Sequence, residues 1–554
     1  MAYKEPSNDE EQEIIRLCKR FEDERSRRRN WDDQWEEIAL YTLPGKADFI
    51  TERSKGDRSR QRQIYDPTAA VSNHTLASHM HSAMTSPSAP WFELQYRNPD
   101  NNKNVDTKEW IEDCTKRMFN AINESNFVSA INELYQDLCA FGTAAIEVSH
   151  INDPAAGFQI VFRSVPLGSI VFFENVFGRV DTVMHEVKLT PRQAYQQFGE
   201  ENLPESIREK YKQDPDRECN FLRIVRPNQN YDPEKELMEE NRMFESIWTY
   251  EKKPLTRNGF FELPYMVPRW SKMTTEQYGF GPGLLALPDT ETLNEAKRLE
   301  LRSWEKAIDP PMMGMSGGVV GDLHLEAGGF TSVRDTRAIA PLHDQANWQA
   351  VQIKSEETRK SIQAVYLIDQ LILPERPNAT ATEVQIRYEM MQRVLGPTMG
   401  RLQAELLNPL VQRIFGIMSR NRQLQELPEG LEDGDYEVKY TGPLAKAQTA
   451  NEAVAVERLI NMLMATAQMD PSVMDVLDLG KAVQAVARQW GVPAEVLRSE
   501  TEIKKLQEGR QQQQQQQQAA EQAMMTDQVD QSGAETTMAQ VAAMEQMNKA
   551  GGIM

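Results

Sequence analysis

A chain of 554 residues with 40% apolar side chains is long enough for three or four structural units with sizeable cores. A mean hydropathy of −0.61, without any long apolar run, excludes a membrane-spanning helix, and the polar, acidic start MAYKEPSNDEEQE is not expected to act as a secretory signal. The net charge of −21 argues against a tight general nucleic-acid binder, which needs basic phosphate contacts, but not against a surface that lets nucleic acid slide past.

Residues 10–43 are expected to form one amphipathic helix, because Ile14, Leu17, Phe21, Trp31, Trp35 and Ile38 recur mostly at three- and four-residue steps and Pro44-Gly45 ends the pattern. A polar stretch follows with Arg53, Lys55, Arg58, Arg60 and Arg62, read as a solvated loop or a basic patch. Helices are predicted over 66–85, 105–123 and 127–141, with an extended piece after the breakers Pro87 and Pro90. From 144 to 188 the texture turns β-branched and aromatic, broken by Gly, Pro and Asn, which predicts strands. Asn258-Gly259 reads as a hairpin turn between MFESIWTYEK and FFELPYMV. The glycine-rich stretch 271–288, read as a flexible joint, leads into a helix to about Ile308, which Asp309-Pro310-Pro311 stops. Short extended pieces are expected over 310–349, a second helix over 351–368 and a loop at LPERPNATA. Residues 382–420 form the longest periodic segment, which Gly396-Pro397 and Pro409 should kink. Residues 445–506 read as helical, and the tail opens with eight glutamines, Gln511 to Gln518, a low-complexity segment.

No catalytic constellation is present in the sequence. There is no GxxxxGK[ST] phosphate loop, and Gly279, Gly281 and Gly283 have the wrong spacing for a dinucleotide loop. His185-Glu186 opens like a zinc-protease motif, but position 189 is Leu, and His74, His79 and His81 make poor ligand geometry on a helix. Cys18, Cys114, Cys139 and Cys219 fit neither a disulfide framework nor a metal site and read as small buried hydrophobes. Neither an enzyme nor a cofactor or metal protein is expected.

Four segments in order carry a resemblance: 65–94, with its small-residue helix and Trp91-Phe92-x-Leu94; 278–298, YGFGPGLLALPDTETLNEAKR; 379–418, with Thr380, Thr382, Glu383, Leu395-Gly-Pro397 and Glu405-Leu-Leu-Asn-Pro409; and YTGPLAKAQ at 440–448. Together the segments resemble the portal, or head-to-tail connector, family of T7-like short-tailed bacteriophages. The resemblance implies an α+β portal-type subunit in a ring of twelve at one capsid vertex. It implies a wing over 1–270, a first stem helix over 271–308, a small α/β clip over 309–350, a second stem helix over 351–368 and a tunnel loop over 369–381. A long kinked wing helix with a return strand would occupy 382–442, a helical crown 443–510 and the tail 511–554.

The same resemblance implies a structural subunit for genome packaging, retention and ejection, assembled in the host cytoplasm and held in the virion. Its expected partners are copies of itself, double-stranded DNA, the terminase large subunit, a tail adaptor or tail tube protein, the major capsid protein, scaffolding protein and internal core or ejection proteins. No membrane is among them. The alternative is another virion structural protein, such as a tail adaptor or internal ejection protein. Candidate channel-lining side chains are Lys297, Arg298, Arg302, Lys354, Arg359, Lys360 and Arg376. A stem helix of about 25 residues spans ~37 Å, past which a duplex presents ~22 phosphates. Acids mixed among those bases suit helices that leave a weakly interacting bore.

Overall fold

In the computed structural model the chain divides into two compact units, Met1–Ala447 and Gln448–Met554, and the architecture below is that of the first. The described residues are 8–371, apart from 47–48, 51–58, 89, 98–104, 154–156 and much of 309–347, then 395–426 and 436–441, with isolated positions beyond. The expected tunnel loop is therefore nearly all outside the described residues, and the helical crown and glutamine-rich tail lie outside them apart from those isolated positions.

The N-terminal amphipathic pattern forms two helices rather than one. Helix α1 spans Asn8–Arg27 and α2 spans Arg29–Thr42. They part at Arg28, whose buried guanidinium pairs with Asp32 at 2.9 Å and donates to the carbonyls of Leu167, Gly168 and Ile170. The periodicity survived because both helices bury a face; the break is set by the loop carbonyls that Arg28 must reach.

Helices α3 (Thr68–Met84), α4 (Val105–Glu124) and α5 (Phe127–Phe141) follow, with strand β1 (Phe92–Tyr96) between the first two. Strands β2 (Ala145–Asp153) and β3 (Gly157–Val165) pair antiparallel, and β9 (Tyr265–Met266) extends that sheet. Strands β4 (Ile170–Glu174), β5 (Val180–Leu189), β6 (Cys219–Pro227), β7 (Phe244–Tyr250) and β8 (Lys253–Phe260) form a five-stranded antiparallel meander, with α6 (Pro191–Phe198) and α7 (Glu205–Gln213) inserted between β5 and β6. Alternation along these strands sorts their two faces. Val171, Met184, Ile224 and Ile247 meet Ile14, Leu17, Cys18 and Phe21 of α1. Phe172, Val183 and Val225 point the other way, against Trp35 and Ile38 of α2.

The hairpin expected at Asn258-Gly259 is displaced. The turn joining β7 to β8 is Glu251-Lys252, both at positive φ, and Asn258 pairs inside β8 with Ser246. Gly259 is required there for another reason: a Cβ would sit 2.2 Å from the Glu239 carbonyl oxygen of the loop crossing over it.

Helix α8 covers Pro282–Ile308, short strands β10 (Met312–Gly314) and β11 (Ile339–Pro341) pair antiparallel, and α9 covers Trp348–Val365. The second helix thus stops short of 368: Leu367 turns at φ 59° and a brief α10 (Ile368–Leu371) follows. Of the long periodic segment, 395–402 is α-helical, Gln403–Leu407 is a π-turn, and α11 runs from Asn408 to Arg420. The irregularity stands immediately before Pro409, which has no N–H to give the preceding turn. The return strand β12 (Tyr436–Tyr440) pairs with β1. The largest core joins α3, α4, α5, α8, α9 and the long helix.

Candidate functional site

The paired helices α8 and α9 are where the sequence places the candidate channel, and each changes character along its length. On one face of α8, Ala286, Leu293 and Asn294 are buried against the wing. The same face continues at three- and four-residue steps into Leu301, Trp304 and Ile308. These are exposed, Trp304 at 45% and Ile308 at 85%. On α9, Ser355 and Ile362 are buried, as is Tyr366 just past its end, whereas Ile353, nearer the free end of the pair, is exposed. The helices are core elements at one end and leave the core at the other.

The opposite face of α8 is balanced in charge, with Glu291, Glu295 and Glu305 set among Arg298, Arg302 and Lys306, and it also exposes Leu299. Most candidate channel bases spend their charge locally. Lys297 pairs with Glu300 at 2.9 Å and stands 5.6 Å over the Trp304 ring. Arg298 Nε donates to Glu295 at 2.7 Å. Lys354 pairs with Glu357 at 3.4 Å, and Arg359 binds both Asp66 and Glu356. Arg302 and Lys360 make no close ion pair among the described residues, although Arg302 stands near enough to Glu295 to help Arg298 hold that carboxyl low. Arg376 lies outside the described residues.

The approach to α8 is fixed by a backbone crossing. Gly142, at φ +75° after α5, lies against residues 279–281 so closely that a Cβ there would be 2.4 Å from the Gly281 nitrogen. A Cβ on Gly283 would be 2.2 Å from the Ala140 carbonyl oxygen. The glycine-rich stretch is therefore a close-packed joint and not the flexible one expected from its composition, because backbone meets backbone where side chains would otherwise intervene. Beside it, Arg269 is 1% exposed and donates to Glu405 through Nε (3.1 Å), Nη2 (2.7 Å) and its backbone N–H (3.0 Å), while pairing with Glu174. Glu405 belongs to the π-turn, so the long helix is tied to the segment that leads into α8.

The buried titratable groups serve the fold. His185 of β5 meets the Tyr265 hydroxyl at 3.1 Å, and burial pushes its imidazole down to about 4, against the pull of Glu147. Burial raises the Glu147 carboxyl, but Arg223 and Arg163 outweigh it and hold the group below the usual carboxylate range. Glu186 points to the other face, where it pairs with Arg25 at 2.7 Å, so the zinc-protease resemblance is strand alternation. All four cysteines are buried and free. No cluster fit for a metal ion occurs among the described residues, and no described helix is long and apolar enough to cross a membrane. Sequence reasoning missed Asp66, Asn294, Glu147, Arg223 and Arg269. Only Asp66-Pro67-Thr68 carried a signal, as a helix-start signature.

Comparison with known proteins decides the family. Residues 13–497 match the model of the bacteriophage head to tail connecting protein family. The chain belongs to that family. It is 28% identical over 543 residues to the portal protein of Salmonella phage epsilon15, covering 95% of each chain. It is 26% identical over 494 residues to the "Probable portal protein" of Bordetella phage BPP-1, covering 87% of this chain and 88% of that one. As a head-to-tail connecting protein it is a structural, non-enzymatic part of the virion, with capsid and tail as neighbours.

Proposed function

We propose that this connector acts as a portal subunit: copies close into a ring, standing α8 and α9 side by side around a bore for double-stranded DNA.

 The observation that carries this reading is the apolar face of α8, buried against its own wing at Ala286 and Leu293 and bare at Leu301, Trp304 and Ile308. Exposed apolar stripes that continue a core face are normally covered by a partner. A head-to-tail contact between identical subunits, repeated until it closes, supplies that cover. The balanced charge on the opposite face suits a bore that neither grips nor strongly repels DNA. Two relatives spanning nearly the same length are named as portal proteins, which supports the reading.

In this reading residues 1–270 and 382–442 form the wing, 271–308 and 351–368 the stem, 309–350 the clip, 369–381 the tunnel loop and 443–510 the crown, with twelve copies in the ring. The clip docks the terminase large subunit during packaging and a tail adaptor or tail tube protein afterwards. The wing meets the major capsid and scaffolding proteins, and internal core or ejection proteins lie on the crown side. Arg302 and Lys360, together with Arg376 outside the described residues, are the candidate bases for the bore. Twelve copies would carry a formal charge of roughly −250, so assembly should be promoted by salt, which screens the repulsion. Negative-stain microscopy of the purified protein across a salt series tests the reading. Rings with a central channel are expected, and particles that remain monomeric at every salt and protein concentration, with scaffolding protein added, would overturn it.

A further inference from the structure

Two segments singled out in the sequence, 65–94 and 278–298, meet at a polar node where the stem leaves the wing. Asn294 of α8 is buried, and its side-chain amide straps the chain ahead of α3 across the helix. Its Nδ2 donates to the Gln63 carbonyl at 3.0 Å, and its Oδ1 accepts from the Tyr65 N–H at 2.7 Å. The next residue, Asp66, is 7% exposed and divides its two oxygens between two tasks. Oδ1 accepts from the Thr68 N–H at 3.0 Å, an Asx turn that leads the chain into α3. Oδ2 accepts from Arg359 of α9 through Nη2 at 2.8 Å and Nε at 3.0 Å. One turn away, Ser361 of α9 donates to Asp289 of α8 at 2.6 Å. Beyond this level the two helices run out of their own core.

We propose that Asp66 is a positioning residue for the stem: with Asn294 it fixes α8, and through Arg359 it fixes α9, at the point that sets the direction in which both helices leave the wing. The inference rests on the portal reading, in which that direction determines the width of the bore. Arg359, a candidate channel residue from sequence, instead serves as the stem's anchor. The division of oxygens makes the idea separable from folding. Asparagine makes the same turn, its Oδ1 accepting from the residue two ahead, so Asp66→Asn keeps the start of α3 while removing the carboxylate oxygen that accepts from Arg359. Arg359→Gln removes the same bond from α9, at a side chain 26% exposed.

Hydrogen exchange on both variants and their double mutant, followed by mass measurement of assembled rings, provides the test. Expected is exchange about tenfold faster in 353–362 and 290–300, with protection of β5–β8 retained. The double mutant should be no faster than the single variants, and ring mass or bore diameter should become heterogeneous. Unchanged exchange in the stem, or an equal loss of protection in the β5–β8 sheet in Arg359→Gln, would overturn the proposal. Exchange is readable on unassembled subunits, so a wild-type protein that forms no rings would sink the portal reading while leaving this result to be judged by itself.

Discussion

In the proposed ring, replacing Trp304 by serine should disperse the copies while each subunit stays folded. A tryptophan presents about 250 Å², so an exposure of 45% leaves ~110 Å² for a neighbour to cover. At ~25 cal/mol per Å² that surface contributes up to ~3 kcal/mol per contact, or about two orders of magnitude in the association constant. Every subunit of a closed ring makes two such contacts, so the loss is felt on both sides of each copy. Within the subunit Trp304 stands with its ring 5.6 Å from Lys297 and is just over half covered, so its removal should also cost the fold about 1–2 kcal/mol, in the ordinary range for a partly buried side chain. Mass photometry over a dilution series reads ring against monomer, and thermal unfolding with circular dichroism reads the fold. Expected is a ring-to-monomer midpoint moved to roughly a hundredfold higher concentration, with a thermal midpoint lowered by only a few degrees. Rings that persist at the wild-type dilution would refute the reasoning, since the bare stripe would then not be a contact between copies.

Gly281→Ala puts a Cβ 2.7 Å from the Gly142 nitrogen, a backbone clash expected to cost at least ~1–3 kcal/mol and to lower the thermal midpoint by several degrees, whereas Gly400→Ala, in open space on the long helix, should be neutral or slightly stabilising. Acid should unfold the protein mainly below pH 4. Burial raises the carboxyls of Asp66, Glu147 and Glu174, but their hydrogen bonds and ion pairs outweigh it and hold them low, so their contribution is present above the ordinary carboxylate value and lost as pH falls through the lowered ones. Between pH 4 and 6.5 two sets of groups oppose each other: His185, pushed by burial down to about 4, and His79, His81 and His150, also lowered chiefly by burial, lose stability on acidification, while Asp137, pushed by burial up to about 6 despite Lys46, and Asp32 and Glu291, also raised by burial, gain it. Denaturant midpoints should therefore be nearly flat across that window and fall steeply below it; a steep fall between pH 6 and 5 would contradict these assignments.

Much of the element order was legible because burial leaves periodicity behind. The face of α3 through Leu76, Met80, Ala83 and Met84 and the strands β4 and β5 follow directly from it. What failed did so where long-range contacts set the local outcome. The division between α1 and α2 depends on carbonyls at 167–170, more than a hundred residues away. Gly259 looked like a turn because Asn-Gly is a strong local signal, but the residue answers to the 239–242 loop above it. The glycines at 279–283 looked loose because composition cannot reveal that another backbone lies against them. Channel candidates were chosen by charge alone, and charge does not say which partner a side chain meets; Arg359 meets Asp66 across 293 residues.

Helix α8 has to satisfy two demands that pull its sequence in different directions. Its inner half must hold the wing, which calls for small and apolar residues near Ala286, Leu293 and the Gly281–Gly283 crossing. Its outer half has no wing beside it, yet keeps large apolar residues on the same face and a balanced set of charges on the other. A helix meant only for solvent would have no use for Leu301, Trp304 and Ile308, and one meant to grip a phosphate backbone would not interleave Glu291, Glu295 and Glu305 among its bases. A neighbour on the first face and a passing, weakly held polyanion on the second satisfy both patterns together, which is why the two faces of this one helix carry more of the functional argument than any single residue on it.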